Sequence, residues 1–259
     1  MFLDKLHAAK TRSMGSLCVG LDPHADRIPE RFGSGAEGGG RFLDWVIDET
    51  ASHACAFKPN AAFFEVWGDA GWRVLRRVVR RAQETGAPVI LDAKRGDIAS
   101  TARAYATAVF EELKADAVTV VPYMGEDAVL PFLEAGGFAF VLTLPTNPSA
   151  EWVVDHGDPP IYLRVGELTR RLSERFPGQL GMVVGATRPK EAVRLHALAP
   201  GLPWLVPGIG AQGGDMVALR NAIGAAHPML VNVSRAVIFD AQPRIAAERT
   251  KARIKEVGG

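Results

Sequence analysis

Two carboxylates and a lysine follow one short apolar run of the chain. The run 88–91 has the composition of a buried strand, and Asp92, Lys94 and Asp97 come directly after it. Because side chains alternate along a strand, Asp92 and Lys94 point to the same side. Negative charge around a lysine favours its ammonium form, so Lys94 suits proton donation or anion binding. With Asp92 beside an anionic substrate group, the cluster suits loss of CO₂ followed by protonation of a carbanion.

The same charged residues also have a structural interpretation. Asp97 leads into the helix-like segment 98–102, which predicts that it is a helix N-cap. Thr101, four residues later, would then lie on the same helical face. Asp92 and Lys94 could equally form an ion pair that only stabilises the rim of the fold.

Eight short apolar runs alternate with longer amphipathic segments along the chain. The runs lie at 17–21, 54–57, 89–91, 117–121, 138–142, 180–184, 204–206 and 229–233. Such continuous runs are typical of strands covered on both faces, as in a parallel sheet. Eight strand-then-helix units predict a single-domain (β/α)8 TIM barrel over residues 1–259. A doubly wound sheet is the alternative, because periodicity does not show closure.

Polar residues follow six of these runs. In a barrel, the carboxyl ends of the strands converge on one mouth, where such enzymes hold their active sites. The residues concerned are Asp22, Lys58, Asp92 with Lys94, Thr143 with Thr146, Gln212, and Arg235. We therefore expect them to meet at the mouth.

Two glycine-rich segments lead to different predictions. Residues 208–213 match G-x-G-x-x-G, but a dinucleotide fold would place this motif early and an acidic residue about twenty positions later. A phosphate site after strands seven and eight fits a barrel better, with Gln212 and Arg235 as donors. Alternatively, the glycines only shape a turn and Arg235 pairs on the surface. The other segment, 33–40, predicts a mobile surface loop.

Composition excludes several classes of partner. Thirty basic and 29 acidic residues leave a net charge of +1, which argues against a nucleic-acid surface or a polybasic membrane patch. No stretch approaches the length of an apolar membrane span. Cys18 and Cys55 lie in apolar runs, which indicates buried free thiols in a reducing cytosol. The sequence thus predicts a soluble, cytoplasmic protein.

Metal chemistry has weak support in the sequence. The six histidines are scattered without the spacing of zinc ligands. Asp22, Asp92 and Asp97 could hold a divalent cation, although a lysine among them competes for the same charge. We predict neither a metal site nor a cofactor.

These motifs resemble those of the orotidine 5′-phosphate decarboxylase family. The pattern Asp92-x-Lys94-x-x-Asp97 followed by Thr101 is similar to its catalytic signature, and 207–214 is similar to its phosphate loop. Three further segments, 20–23, 57–60 and 184–187, are similar to one bacterial branch, and the resemblance extends over about residues 15 to 240. It implies a cofactor-free TIM-barrel enzyme that converts orotidine 5′-monophosphate (OMP) to UMP and CO₂, the last step of UMP synthesis.

The resemblance also implies a role for each matching residue. Asp92 would lie beside the departing carboxylate and Lys94 would protonate C6, with Asp97 and Lys58 also in the catalytic set. The substrate-binding set would be Asp22 and Lys58 at the ribose hydroxyls, Gln212 and Arg235 at the phosphate, and Asn60, Thr101, Thr146, Pro207 and Ser234. Thr146 replaces the serine that binds the pyrimidine in the family. Asp97 and Thr101 would reach the neighbouring subunit's site in a homodimer.

Two other functions remain open at this point. Magnesium-dependent sugar-phosphate decarboxylases and aldolases of the same superfamily reuse Asp-x-Lys-x-x-Asp, although the segment 57–60 favours the nucleotide enzyme. A catalytically silent nucleotide-phosphate binder on a barrel scaffold is the other alternative. The intact charged cluster argues against it.

Overall fold

Eight parallel strands alternate with helices along the chain. The computed structural model describes residues 1–208 and 215–258. The strands are β1 (Leu17–Leu21), β2 (Ala56–Pro59), β3 (Ile90–Arg95), β4 (Ala117–Val120), β5 (Phe138–Leu144), β6 (Leu180–Val184), β7 (Trp204–Val206) and β8 (Met229–Val233). The helices are α1 (Phe2–Ser13), α2 (Gly35–Thr50), α3 (Ala62–Glu65), α4 (Gly68–Glu84), α5 (Ala99–Thr107), α6 (Leu130–Glu134), α7 (Glu151–Val154), α8 (Ile161–Arg175), α9 (Pro189–Leu198), α10 (Met216–Ile223), α11 (Arg235–Ile238) and α12 (Pro243–Glu256).

The strands close into a barrel. They follow the order β2-β1-β8-β7-β6-β5-β4-β3, and every ladder is parallel. Isolated parallel bridges, Phe57 with Val89 and Asn60 with Asp92, join the two outer strands. The predicted (β/α)8 barrel is therefore confirmed, and the doubly wound alternative is excluded.

Alternating side chains fill the inside and the outside of the barrel. Phe138 and Phe140 of β5 belong to the inner cluster, while Val141 belongs to the cluster that includes the helices. Phe2 of α1 packs against Phe138 with ring centroids 4.4 Å apart, so α1 covers the amino ends of the strands. Both cysteines are fully buried, as predicted. Within the described ranges, none of the helices has the length and apolar character needed to cross a membrane.

Two strand boundaries differ from the sequence prediction in a way that matters for the site. β2 begins at Ala56 and reaches Pro59, and β3 continues to Arg95. Lys58, Asp92 and Lys94 are consequently part of the strands rather than of the loops after them. The regular pairing of β2 with β1 fixes the direction of the Lys58 side chain, whereas Asp92 and Lys94 lie where the pairing of β3 with β4 is interrupted.

The prediction of a mobile loop at 33–40 is wrong. Residues from Gly35 onward form α2, and Gly39 is buried in it. A Cβ on Gly39 would lie 2.3 Å from the Trp67 ring, so the glycine permits a close helix contact rather than a flexible turn. Composition alone does not distinguish these two uses of glycine.

A buried histidine lies near the amino ends of the strands, away from the mouth. His227 packs edge-on against Trp204, and its Nδ1 is 3.1 Å from His196 Nδ1 and 3.2 Å from the Pro200 carbonyl oxygen. Burial, reinforced by His196 and by Arg220, lowers the pKa of His227 from 6.5 to about 4 despite the carbonyl contact. The folded state therefore holds this imidazole neutral at neutral pH.

We expect this histidine to make the fold less stable in mild acid. Between pH 6.5 and about 4 the unfolded chain binds a proton at His227 that the folded chain does not, so its stabilisation is complete above pH 6.5 and declines below it. The loss by pH 4.5 should be about 2–3 kcal/mol. Urea unfolding at pH 7.5 and pH 4.5 gives the free energy of unfolding at each pH. The decrease of this free energy from pH 7.5 to pH 4.5 should be smaller by this amount in His227→Gln than in the wild type. His7→Gln, at an exposed position on α1, is the control. An equal decrease in the free energy of unfolding in all three proteins would show that His227 does not cause the loss of stability.

Candidate active site

Asp92 lies at the centre of a network of charged groups where β2 and β3 meet. Lys58 Nζ donates to Asp92 Oδ2 at 2.7 Å, and Lys94 Nζ donates to Asp92 Oδ1 at 2.7 Å. The Lys58 side chain is 4 % exposed, whereas that of Lys94 is 45 % exposed. One lysine is thus fixed in the barrel wall, and the other reaches the open mouth.

The two lysines keep the carboxylate of Asp92 ionised. Burial alone would raise the pKa of Asp92, but attraction and hydrogen bonds from Lys58 and Lys94 outweigh it and hold the pKa well below its usual range. Burial would likewise lower the pKa of Lys58, but Asp92 and Asp22 reverse the effect and raise it. The site therefore holds a buried negative charge beside a positive group that faces the mouth.

A cavity of about 420 Å³ opens above this network, a size typical of small-molecule sites. Nine of the residues predicted from the sequence line it, namely Asp22, Lys58, Asn60, Asp92, Lys94, Thr146, Pro207, Ser234 and Arg235. They come from strands or strand ends all around the barrel. The fold therefore brings these residues to one mouth. The prediction is wrong for Thr143, which does not line the cavity and donates to the Val141 carbonyl oxygen instead.

Three polar atoms on the cavity wall are buried without a hydrogen-bond partner among the described residues. They are Asp22 Oδ1, Asn232 Oδ1 and Ser234 Oγ. An unpaired buried polar atom destabilises a fold unless water or a ligand binds it, so these three atoms are available to a ligand in the cavity. A carboxylate oxygen, an amide oxygen and a hydroxyl are suited to bind the hydroxyl groups of a sugar.

Asp97 and Thr101 do not line the cavity of the single chain. The prediction that Asp97 caps a helix is wrong, because α5 begins at Ala99 with Ile98 as its N-cap. Ile98 is extended and Ala99 has φ of +49°, so helical geometry does not extend back to Asp97. The Asp97 carboxylate instead accepts from the Ile98 N–H at 2.8 Å, and Thr101 is exposed on the helix. The two residues therefore do not share one helical face as predicted.

Thr146 lies on the cavity wall beside β6. A Cβ on Gly185 would be 2.6 Å from the Thr146 methyl carbon, so that methyl occupies space that only a glycine leaves free. Thr187 also donates to the Thr146 carbonyl oxygen at 3.4 Å. The extra methyl of threonine is thus accommodated by the segment 184–187.

The opposite side of the mouth carries the predicted phosphate residues. Gly208 has φ of +91°, a conformation that favours glycine, and it lines the cavity with Arg235. Arg235 begins α11 and is exposed. Gln212 and the rest of the motif beyond Gly208 lie outside the described residues.

Several lining residues were missed by the sequence prediction. Thr119 of β4 and Asn232 of β8 each interrupt an apolar strand, and Leu142, Val183 and Leu205 give the cavity an apolar side. Strand alternation gives the signal for three of them, because Thr119, Leu142 and Asn232 each lie two positions beyond an inward-facing residue of the barrel core. Polar residues within a strand thus belong to the mouth as much as those that follow it.

The fold and the site together define a class of protein. The cavity lies at the carboxyl ends of the strands of a (β/α)8 barrel. It contains an ionised Asp–Lys pair, polar atoms suited to sugar hydroxyls, and an arginine. In the part of the chain that the structure describes, no three His, Cys, Asp or Glu side chains are grouped to hold a metal ion. The barrel and the charged groups in its cavity define a barrel enzyme for acid–base and electrostatic chemistry on a small polar molecule.

Comparison with known proteins narrows this class to one family. The family model described as Orotidine 5′-phosphate decarboxylase / HUMPS family matches residues 15–250. The chain is 43% identical over 246 residues to orotidine 5′-phosphate decarboxylase from Herpetosiphon aurantiacus, covering 92% of this chain and 90% of that protein. It is 44% identical over 260 residues to the enzyme of the same name from Roseiflexus castenholzii, covering 97% and 94%. The solved structure of Leishmania donovani OMP decarboxylase is 40% identical, with a TM-score of 0.87 and coverage of 99% and 98%.

The chain therefore belongs to the orotidine 5′-phosphate decarboxylase family. The resemblance found in the sequence is confirmed. The magnesium-dependent sugar-phosphate alternative receives no support from these relatives, which are named as decarboxylases of the nucleotide.

Proposed function

We propose that this protein converts OMP to UMP and CO₂, and that Asp92, held between Lys58 and Lys94, is the observation that carries the mechanism. The bond between C6 of the pyrimidine and its carboxylate breaks, CO₂ leaves, and the electron pair stays on C6. The Lys94 ammonium then donates a proton to C6 and regains one from water. Atoms and charge balance with groups of the chain, the substrate and water.

Asp92 drives this step by repulsion. Its ionised carboxylate lies beside the substrate carboxylate, so the bound ground state is disfavoured relative to a transition state in which that charge leaves. Lys58 keeps Asp92 ionised and fixed, as their contact at 2.7 Å requires. Lys94, on the exposed side of Asp92, stabilises the developing carbanion as a neighbouring cation.

Binding at the other end of the substrate offsets this repulsion. Arg235 and Gln212 bind the phosphate, Asp22 and Lys58 face the ribose hydroxyls, and Asn60, Pro207 and Ser234 complete the substrate contacts. Thr146 faces the pyrimidine. Arg235 can form two charge-assisted hydrogen bonds to a phosphate dianion, which makes it the main anchor among the described residues.

The direct test is an ultraviolet assay of the purified protein with OMP in the presence of EDTA. We expect the OMP absorbance to decline at the same rate with and without the chelator. Loss of activity on chelation would favour the magnesium-dependent chemistry instead. An unchanged spectrum under both conditions would reject the decarboxylase.

Replacing Arg235, the proposed phosphate anchor, should raise KM for OMP more than it lowers kcat. We expect Arg235→Ala to lower kcat/KM for OMP by about 10–100-fold, mainly through KM, because a charge-assisted contact contributes about 1.5–3 kcal/mol. Arg27→Ala is the matched control, since Arg27 stacks over Phe239 outside the cavity. Steady-state kinetics on both variants measures this effect. If Arg235→Ala and Arg27→Ala had equal kcat/KM values, Arg235 would have no part in binding the substrate.

We also propose a homodimer in which Asp97 and Thr101 of each subunit complete the partner's site. Both residues lie outside the cavity of their own chain. The neighbouring ends of β3 and β4 are joined by a hydrogen bond from Val121 N–H to the Arg95 carbonyl oxygen at 2.7 Å. The loops that follow expose Ile98, Tyr123 and Met124 to solvent. Exposed apolar groups at this edge support a subunit contact there.

The cytoplasmic location predicted from the sequence stays a prediction.

A further inference from the structure

We infer that Thr119 is a positioning residue whose hydroxyl holds both Asp92 and the backbone of Lys94 in the geometry that the reaction needs. This inference rests on the proposed function and adds to it a residue that the charged cluster does not contain. Thr119 lies in β4, is 1 % exposed, and lines the cavity directly behind Asp92.

The pairing of β3 with β4 is interrupted at the reactive residues. Leu91 pairs with Val118, and the next pair is Arg95 with Val120. Residues 92–94 of β3 therefore lie opposite the single residue Thr119. Lys94 within this bulge has φ of +46°, which is uncommon for a residue with a side chain. A bulge of this kind redirects side chains, and here it places Lys94 Nζ against Asp92.

The Thr119 hydroxyl occupies the gap in the ladder. Its Oγ1 accepts from the Ala93 N–H at 3.1 Å and from the Lys94 N–H at 3.0 Å, and it donates to Asp92 Oδ1 at 2.9 Å. A hydroxyl has one hydrogen and two acceptor positions, so all of its capacity is used. Because two N–H groups point at the oxygen, its own hydrogen is directed to the carboxylate.

The Thr119 hydroxyl oxygen thus contacts both the Asp92 carboxylate and the backbone of Lys94. Asp92 Oδ2 is held by Lys58, and Oδ1 is held by Lys94 and Thr119. Without the hydroxyl, Asp92 loses a fixed donor and the bulge loses the acceptor for two of its N–H groups. The carboxylate and the ammonium would then depart from their places relative to the substrate, while the rest of the substrate contacts would remain. The expected result is a loss in kcat rather than in binding.

Thr119→Val tests this directly, because valine keeps the shape and removes the hydroxyl. We expect kcat for OMP to fall by about 10–100-fold, with KM for OMP and Kd for UMP close to their wild-type values. Thr119→Ser, which retains the hydroxyl, should restore most of kcat. Thr143→Val is the matched control, since Thr143 is a buried threonine on β5 that donates to the Val141 carbonyl oxygen and does not line the cavity.

A wild-type kcat in Thr119→Val would overturn the inference, as would equal losses in the valine and serine variants. Inactive wild-type protein would instead reject the proposed function. A crystal structure of Thr119→Val tests the positioning independently of activity, with a displaced Asp92 carboxylate or a changed Lys94 backbone as the expected result. Unchanged positions of both would overturn the inference. If the valine variant does not fold, Thr119→Ala against Thr119→Ser provides the same comparison.

Discussion

Lys94→Ala is expected to lower kcat for OMP by about 10⁴-fold while UMP binding is retained. The variant removes the group that donates the proton to C6 and stabilises the carbanion. Asp92 keeps its contacts with Lys58 and Thr119, and the Lys94 side chain is 45 % exposed, so the fold should tolerate the change. Single-turnover kinetics and calorimetric titration with UMP measure the two quantities separately.

The control for this substitution is Lys5→Ala. Lys5 also pairs with a carboxylate, that of Asp116, but the pair lies at the amino ends of the strands. Its loss should leave kcat unchanged. An unchanged reaction rate in Lys94→Ala would show that Lys94 has no catalytic part. Tight UMP binding by wild-type protein that does not convert OMP would instead support the silent nucleotide-phosphate binder.

Mixing two inactive variants should restore activity if the sites are shared between subunits. In a heterodimer of Lys94→Ala and Asp97→Ala, one site receives Lys94 from one chain and Asp97 from the other, and the second site receives neither. Random exchange makes about half of the dimers heterodimers, so the mixture should reach about a quarter of wild-type activity. The gain over either variant alone should be several orders of magnitude.

A second mixture makes this experiment decisive. Asp92 and Lys94 of one chain are in direct contact at 2.7 Å, so they belong to the same site. Mixing Lys94→Ala with Asp92→Asn should therefore restore nothing. Absence of recovery in the first mixture after verified subunit exchange would show that each site is built from one chain, and recovery in both mixtures would rule out the proposed division.

The sequence was sufficient to predict the barrel and most of its mouth. Continuous apolar runs indicate strands covered on both faces, and each predicted strand appears in the fold. The count of eight units favoured a closed barrel, but periodicity could not show closure, because closure depends on contacts such as Phe57 with Val89 between strands far apart in the chain. The residues that follow the strands converge because parallel strands present their carboxyl ends at one edge.

What the sequence did not reveal depends on the partner strand or helix. At the bulge of residues 92–94, the Ala93 and Lys94 N–H groups bind the Thr119 hydroxyl of β4, and no pattern within β3 predicts this contact. The start of α5 has a local cause instead: Ile98 is extended and is the N-cap, so Asp97 does not cap the helix. The glycine-rich composition of 33–40 predicts a loop, whereas the role of Gly39, a close approach to Trp67, depends on a residue that this composition does not include.

The proposed mechanism depends on Lys94, which replaces the departing carboxylate at C6 with a proton. Proton NMR of the reaction in D₂O measures where this proton comes from and whether Lys94 delivers it. Wild-type protein should convert OMP to UMP that carries deuterium at C6 and hydrogen at C5, and Lys94→Ala should form no UMP over the same period. Formation of C6-deuterated UMP by Lys94→Ala at the wild-type rate would contradict the claim.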